Sequence, residues 1–459
     1  MVASLRSAVL SFCAALPVLA TASLPTASLA APTANPAPPS APIVVSTADH
    51  KAQSPEIAIG SDDSINMIWI DEDSAPQEHA AHEEHGHSHM ASTNLFFARS
   101  TDGGKTFSAP IAVNAKPGEV WGFSVSKPRI AVGRNGTIHV FYPANDVSPT
   151  NGKPYAVAHY TRSTDGGRSF EKPRRLNTMA TTDASNVVHG GLTHGHVFGT
   201  MAVDAKGSVY TMWIDTRDML KEGDAGKMFM AVSRDDGRSF GKDVEVFPAD
   251  VCPCCQITAY VDAAQHLYVG SRQIEGKFRD STVAVSTDDG RTFSPRQRIV
   301  GKRWEIEGCP LKPTSVVAQG REVYASYFTG GEDPAGVYFV RSTDGGRSWS
   351  TPLLAHPGAT TSDAPVVTLA GSTLHLFWHG KVADGARRIY TRASTDGGVS
   401  FGPVTELPAP PGATQLPAVA ARPNGSVQIA WQQGTEVRSM RWDGAASTAT
   451  LAAQATVAR

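Results

Sequence analysis

The chain has 459 residues, with 41 Lys plus Arg against 43 Asp plus Glu and a formal net charge of −2. A balance this close to neutral excludes a basic field for nucleic acid or for an anionic membrane surface, leaving metal ions, small molecules, glycans and proteins as partners. The length suggests two or three domains, but internal repeats break that prior and are sought first.

The N-terminus carries Arg6, an apolar run over residues 7–20 and small residues ending in Ser28-Leu29-Ala30. This pattern predicts a signal peptide over residues 1–30, and therefore a periplasmic or secreted protein. The apolar run is short for a membrane span of about 20 residues. Cys13 leaves with the leader. Residues 31–41, rich in Ala and Pro, are expected to form a flexible linker. No later segment is long and apolar enough to span a bilayer, so a folded domain over 42–443 and a tail over 444–459 follow.

One phrase recurs six times: Ser100-Thr101-Asp102-Gly103-Gly104-Lys105-Thr106-Phe107, then copies centred on Asp165, Asp235, Asp288, Asp344 and Asp396. Its chemistry is that of a tight hairpin. The Asp accepts backbone N–H bonds inside the turn, Gly takes the positive φ that a Cβ disfavours, and the closing aromatic packs back on the sheet. Around each copy the same strands recur, as in Glu56-Ile-Ala-Ile59, Met67-Ile-Trp-Ile70, Leu95-Phe-Phe-Ala98 and Pro110-Ile-Ala-Val113. They are rich in β-branched and aromatic residues and are punctuated by Gly, Asp, Asn and Pro.

The phrase resembles the Asp-box (BNR) repeat of the sialidase-like propellers, and the resemblance covers essentially the whole mature chain. It implies an all-β propeller of four-stranded blades with each box between the third and fourth strands. After the sixth box, residues 416–442 supply three more strands without a fourth, which Pro42-Ile-Val-Val45 can provide. Seven blades closed by the N-terminal strand are expected, with six as the alternative; closure removes an exposed sheet edge.

In a four-stranded meander the connections alternate sides, so the boxes mark one face while second-to-third loops and blade connections share the other. His79, His82, His85, His87 and His89, with Met90, fall in the second-to-third loop of the first blade. His189, His194 and His196 precede the third blade, Cys252-Pro253-Cys254-Cys255 precedes the fourth, and Cys309 precedes the fifth. All are expected opposite the boxes. By contrast, His139, His159, His266 and His375 sit in strand patterns and are expected to be packed or solvated.

Four cysteines survive leader removal, and in an oxidising compartment two disulfides are one reading. Adjacent Cys254 and Cys255 cannot bridge without strain, which favours a second reading. Cys252, Cys254, Cys255 and Cys309 form a thiolate-rich site suited to copper or zinc, with His194 and His196 as supplementary ligands. The 79–89 histidines then act as an acquisition arm. One disulfide with two ligand thiols, or a redox role for the Cys252/Cys255 pair, also stays open.

The resemblance implies a second class of function, exo-sialidase hydrolysis, in which three arginines clamp a carboxylate, a Tyr with a Glu partner is the nucleophile and an Asp is the acid/base. The first arginine normally follows an aromatic and precedes Ile-Pro; here Ser54-Pro55-Glu56-Ile57 places a carboxylate there. Lys127-Pro128-Arg129-Ile130 carries an arginine one blade later. Arg129, Arg217 and Arg272 are the clamp candidates, with ion pairing to blade acids such as Asp215 as the plainer role. Tyr260, Tyr327 and Glu307 are available, but no nucleophile pair stands out. A third class is non-catalytic binding of a glycan or protein, with Trp121, Phe123 and Trp304 either stacking on a sugar or filling the channel mouth.

Overall fold

The computed structural model describes residues 40–47, 51–72, 93–122, 126–147, 154–178, 195–219, 224–308, 310–383 and 385–444. Among them every regular element is a β-strand. The expected all-β fold is thereby met, with strands where the apolar runs place them.

Strand β1 (Ile43–Val44) comes first, followed by a meander of β2 (Lys51–Ile59), β3 (Ile65–Glu72), β4 (Thr93–Ser100) and β5 (Ile111–Ala112). The pattern repeats with β6 (Arg129–Val132), β7 (Ile138–Val147), β8 (Pro154–Ser163) and β9 (Arg174–Arg175). Next come β10 (His196–Val203), β11 (Val209–Asp215), β12 (Gly226–Ser233) and β13 (Val244–Val251), then β14 (Thr258–Val261), β15 (Leu267–Glu275), β16 (Phe278–Ser286) and β17 (Gln297–Arg298). These two meanders join into one sheet through the pairing of Val251 with Gln273. Two further sheets are β18 (Thr314–Gln319), β19 (Glu322–Thr329), β20 (Gly336–Ser342), β21 (Leu353–Leu354), and β22 (Thr361–Ala370), β23 (Thr373–Lys381), β24 (Arg388–Ser394), β25 (Thr405–Glu406). Last come β26 (Thr414–Ala421), β27 (Val427–Gln433) and β28 (Glu436–Trp442), and β1 pairs antiparallel with β28, Ile43 opposite Ser439.

The first strands touch in succession: β2 meets β6, β6 meets β10, β10 meets β14, β14 meets β18, β18 meets β22, β22 meets β26, and β26 meets β2. Second strands are sealed on both sides, as in β11, where all seven residues are buried. Such strands read as near-continuous apolar runs for that reason. Trp69, Trp213, Trp378 and Trp431 occupy this layer. The outermost strands β5, β9, β17, β21 and β25 are only two residues long, which limits edge pairing.

Each box is the turn its chemistry predicts. Asp102 Oδ1 accepts from the N–H groups of Lys105 and Thr106 at 3.0 Å, its Oδ2 accepts the Thr106 hydroxyl at 2.6 Å, and Ser100 Oγ takes the Gly104 N–H at 2.9 Å. Where the first glycine is replaced, Asp236 and Asp289 take the left-handed conformation themselves, at φ 62° and 60°, as short polar side chains tolerate best. The boxes also tie neighbouring sheets: Asp236 Oδ2 accepts Asn135 Nδ2 at 2.8 Å and Thr137 Oγ1 at 2.7 Å.

A second recurrence shapes the opposite end. In β2, β10, β22 and β26 the register slips once near the start of the strand. The slipped residue lies at positive φ: Ser54 at 51°, Phe198 at 51°, Ala364 at 49° and Leu416 at 55°. Pro55, Gly199, Pro365 and Pro417 follow directly. These bulges bend the innermost strands and re-aim their side chains.

Candidate functional site: a buried thiol cluster beside an axial cavity

Between β13 and β14 the chain makes a turn led by Cys252. The Cys252 N–H donates to the Arg272 carbonyl on β15 at 2.8 Å, and the Ile257 N–H donates to the Phe198 carbonyl at 3.0 Å. Pro253 packs on Gly226, where an added Cβ would lie 3.8 Å from the Pro253 Cα. Gly226 opens β12, and the box follows Ser233 at the other end of that strand. Eight residues of strand place the two ends about 23 Å apart. The three cysteines therefore lie away from the boxes, as alternation of the connections requires.

The sulfurs converge. Cys252 Sγ lies 3.6 Å from Cys254 Sγ and 3.3 Å from Cys255 Sγ, and all three fall within 4.8 Å of one another. None is in a disulfide, and each is 1% exposed. Thiolates bound to one ion at about 2.3 Å sit about 3.8 Å apart in a tetrahedron and about 4.0 Å apart in a trigonal plane. A single soft ion would need the closest pair to open by about 0.5–0.7 Å.

The surroundings favour a negative charge. Arg272, 1% exposed, donates to the Arg279 carbonyl at 2.6 Å and the Phe328 carbonyl at 2.8 Å and stacks 5.2 Å from the Trp304 ring centroid. No carboxylate pairs with it among the described residues. It is an electrostatic neighbour of both Cys252 and Cys255. At Cys255 burial works upward, but hydrogen bonds from Cys252 and Cys254, the Arg272 charge and the Lys312 N–H pull the thiol well below its usual range. At Cys252 the bond from Cys254 works downward, yet the bond to Cys255 and burial push it well above.

Gln256, next in sequence, carries the cluster to a cavity of about 510 Å³ on the same end. Its Oε1 accepts the Lys127 N–H at 2.7 Å. The cavity is lined by Lys127, Arg129, Glu56, Asp363, His379 and Arg387, among others, from strands far apart in the chain. Among the described residues Lys127 Nζ donates to the Pro417 carbonyl, at 3.4 Å, and burial lowers its ammonium to about 8. His379 Nδ1 accepts the Leu416 N–H at 3.0 Å, which puts any ring proton on Nε2; burial lowers it to about 4.

Of the three clamp candidates, Arg129 alone lines this cavity, and it pairs with Glu56 at 3.3 Å. Arg217 forms a fork with Asp215 and lies 3.6 Å from Asp243. Arg272 is sealed beneath Trp304. Trp121 is buried, with its ring edge-on to Phe198 at 5.7 Å. Phe123, Cys309, His189, His194 and the histidines at 79, 82, 85, 87 and 89 lie outside the described residues. His196 opens β10 by its backbone. Lys127, Gln256, His379 and Arg387 escape a reading of the sequence; the signal that points to them is the Pro-led start of the innermost strands, as in Lys127-Pro128 and Leu416-Pro417.

Residues 124–315 match the family described as the BNR repeat-like domain. A crystal structure of a protein of unknown function from Dyadobacter fermentans is similar at TM-score 0.50 and 17% identity, over 77% of this chain and 97% of that one. The Hadza microbial sialidase Hz136 aligns at TM-score 0.49 and 16% identity, over 76% and 73%. A mutant of the NanB sialidase of Streptococcus pneumoniae aligns at TM-score 0.45 and 12% identity, over 90% and 71%. No curated protein matches. With six boxes in place, the chain resembles the BNR-repeat propellers, and the family match spans residues 124–315.

Proposed function

We propose that this is an exported, seven-bladed propeller that binds one soft or borderline metal ion, copper first and zinc second, through Cys252, Cys254 and Cys255. The observation that carries the metal site is the approach of three buried sulfurs to within 4.8 Å of one another. The unpaired buried Arg272 supports it, since an anionic metal–thiolate centre supplies the charge this cation lacks. Cys309 is the proposed fourth donor. It precedes Lys312, whose N–H meets the Cys255 sulfur, by three residues, a span of about 10 Å at most. His194 and His196 are supplementary donors, and the 79–89 loop is an acquisition arm. The seven-blade count rests on the pairing of β1 with β28 and the contact of β26 with β2, and export rests on the leader at 1–30.

X-ray absorption on the reduced, copper-loaded chain tests the site. A first shell of about three sulfurs near 2.3 Å is expected, whereas a shell of nitrogen and oxygen alone would refute it.

The axial cavity favours a second reading, a glycan-binding or hydrolytic propeller, since its polar lining and volume suit a small ligand. Turnover of a fluorogenic sialoside that is abolished by Arg129→Ala selects hydrolysis; glycan retention without turnover selects binding alone.

A further inference from the structure

The cysteine turn holds more than a ligand set. The Cys255 N–H approaches the Cys252 carbonyl at 3.5 Å, closing a four-residue turn with Pro253 at its second position, where its fixed φ suits the geometry. Such a turn brings its first and last Cα within about 7 Å, the range a disulfide spans. The Cys252–Cys255 sulfur separation, 3.3 Å, is the shorter of the two close approaches; Cys252 to Cys254 is 3.6 Å. Cys254 is a poorer partner on either side, because bridging a neighbour or a next-neighbour strains the backbone.

We infer that Cys252 and Cys255 form a dithiol–disulfide couple that a peroxide oxidises, and that the disulfide and the bound metal exclude one another. The inference rests on the metal reading for its second half and stands on geometry alone for its first. One sulfur of the pair, as thiolate, attacks one peroxide oxygen and becomes a sulfenic acid, with the other oxygen leaving as water after taking a proton. The second thiol of the pair then displaces the sulfenic hydroxyl, which leaves as a second water with that thiol's proton. Two thiols and one hydrogen peroxide thus become one disulfide and two waters. A peroxide little larger than water suits thiols this deeply buried, where a bulky disulfide oxidant is hindered. Pairing removes two of the three described sulfur donors and releases the ion; a bound ion draws on a lone pair of each sulfur, lowers its nucleophilicity and slows attack on the peroxide.

The experiment uses the full chain, reduced and then freed of reductant. Zinc binding is first read by competition with a chromophoric chelator, since zinc does not itself react with peroxide. Apo and zinc-loaded samples then receive hydrogen peroxide, and differential alkylation with mass spectrometry locates the paired cysteines. The expected result is a Cys252–Cys255 disulfide with Cys254 still alkylatable, zinc released in step with it, and oxidation slowed roughly tenfold or more by loading. Cys254→Ser keeps the disulfide, and Cys255→Ala abolishes it. Pairing of Cys254, linkage of either residue to Cys309, or arrest at a sulfinic acid overturns the couple. Zinc retained after Cys252–Cys255 pairing overturns the exclusion. Disulfide formation in a chain that binds neither zinc nor Cu(I) refutes the metal reading while supporting the couple.

Discussion

The backbone N–H of Cys252 is donated to the carbonyl of Arg272 at 2.8 Å, so the thiol turn is tied to the residue whose guanidinium is an electrostatic neighbour of its sulfurs. Arg272→Leu removes the donors that satisfy the Arg279 and Phe328 carbonyls, at about 1–3 kcal/mol for each carbonyl stranded. The expected outcome is a loss of about 2–4 kcal/mol of stability in chemical denaturation, together with at least about a tenfold loss of copper affinity. Equal affinity in a folded variant would show that the charge does not serve the thiolates.

Protons act on the boxes. The Thr106 hydroxyl, with the neighbouring N–H groups, holds the Asp102 carboxyl well below the usual carboxylate range, and Asp235 is held at about 2 chiefly by the Ser239 hydroxyl. A depressed native value means that the stability these turns contribute is fully present above the unfolded value of about 3.9. It is lost as pH falls through the native values. Denaturation midpoints should begin to decline below about pH 6.5, where the buried His139, His375 and His379 resist the proton that the unfolded chain takes up, and should fall further from about pH 4 toward pH 2; Asp102→Asn should flatten part of that lower fall.

Lys127 gives a slope of the same sign in a different window, above about pH 8. Its ammonium is lowered to about 8, by burial first, with Glu56 opposing and Arg129 assisting. A base lowered in the native state costs stability while both states are protonated, and the cost is relieved as pH rises from about 8 toward the unfolded value near 10.4. Lys127→Met should therefore stabilise the chain at pH 7 by about 1–2 kcal/mol, part of the full shift being screened through the cavity, with the gain vanishing by about pH 10.5. A gain that does not vary with pH would point to packing instead.

The N-terminal strand is expected to be structural. Val45 is buried, the Val45 N–H donates to the Val437 carbonyl at 2.9 Å, and the Arg441 N–H donates to Ser40 Oγ at 2.8 Å. Deleting residues 40–47 removes this burial and these bonds, at least about 3 kcal/mol in sum. The exposed edge of β28 should also promote association, read by light scattering. Unchanged stability would argue against closure of the last sheet by β1.

The boxes were legible because their chemistry is local: an Asp and a positive-φ position at fixed spacing determine the turn with no help from distant residues. The cysteine turn was legible for a related reason, since all three of its described sulfurs sit within four positions. What lay beyond the sequence depends on distant segments. Nothing in Gly270-Ser271-Arg272 says that the guanidinium turns inward beneath Trp304, because arginine ordinarily seeks water. The cavity draws Glu56, Lys127, Asp363 and Leu416 from separate sheets, and the pairing of Arg129 with Glu56 becomes visible only once β2 and β6 are neighbours. The loops bearing the other histidines and Cys309 lie outside the described residues, so their part in the site rests on the order of connections alone.

The central claim is tested most directly by titrating the reduced chain with Cu(I) against a chromophoric Cu(I) chelator. One copper per chain is predicted, with binding weakened by at least about two orders of magnitude in each of Cys252→Ser, Cys254→Ser and Cys255→Ser while the fold survives. No copper held against the chelator by the wild-type chain, or the same copper held by all three variants, would contradict it.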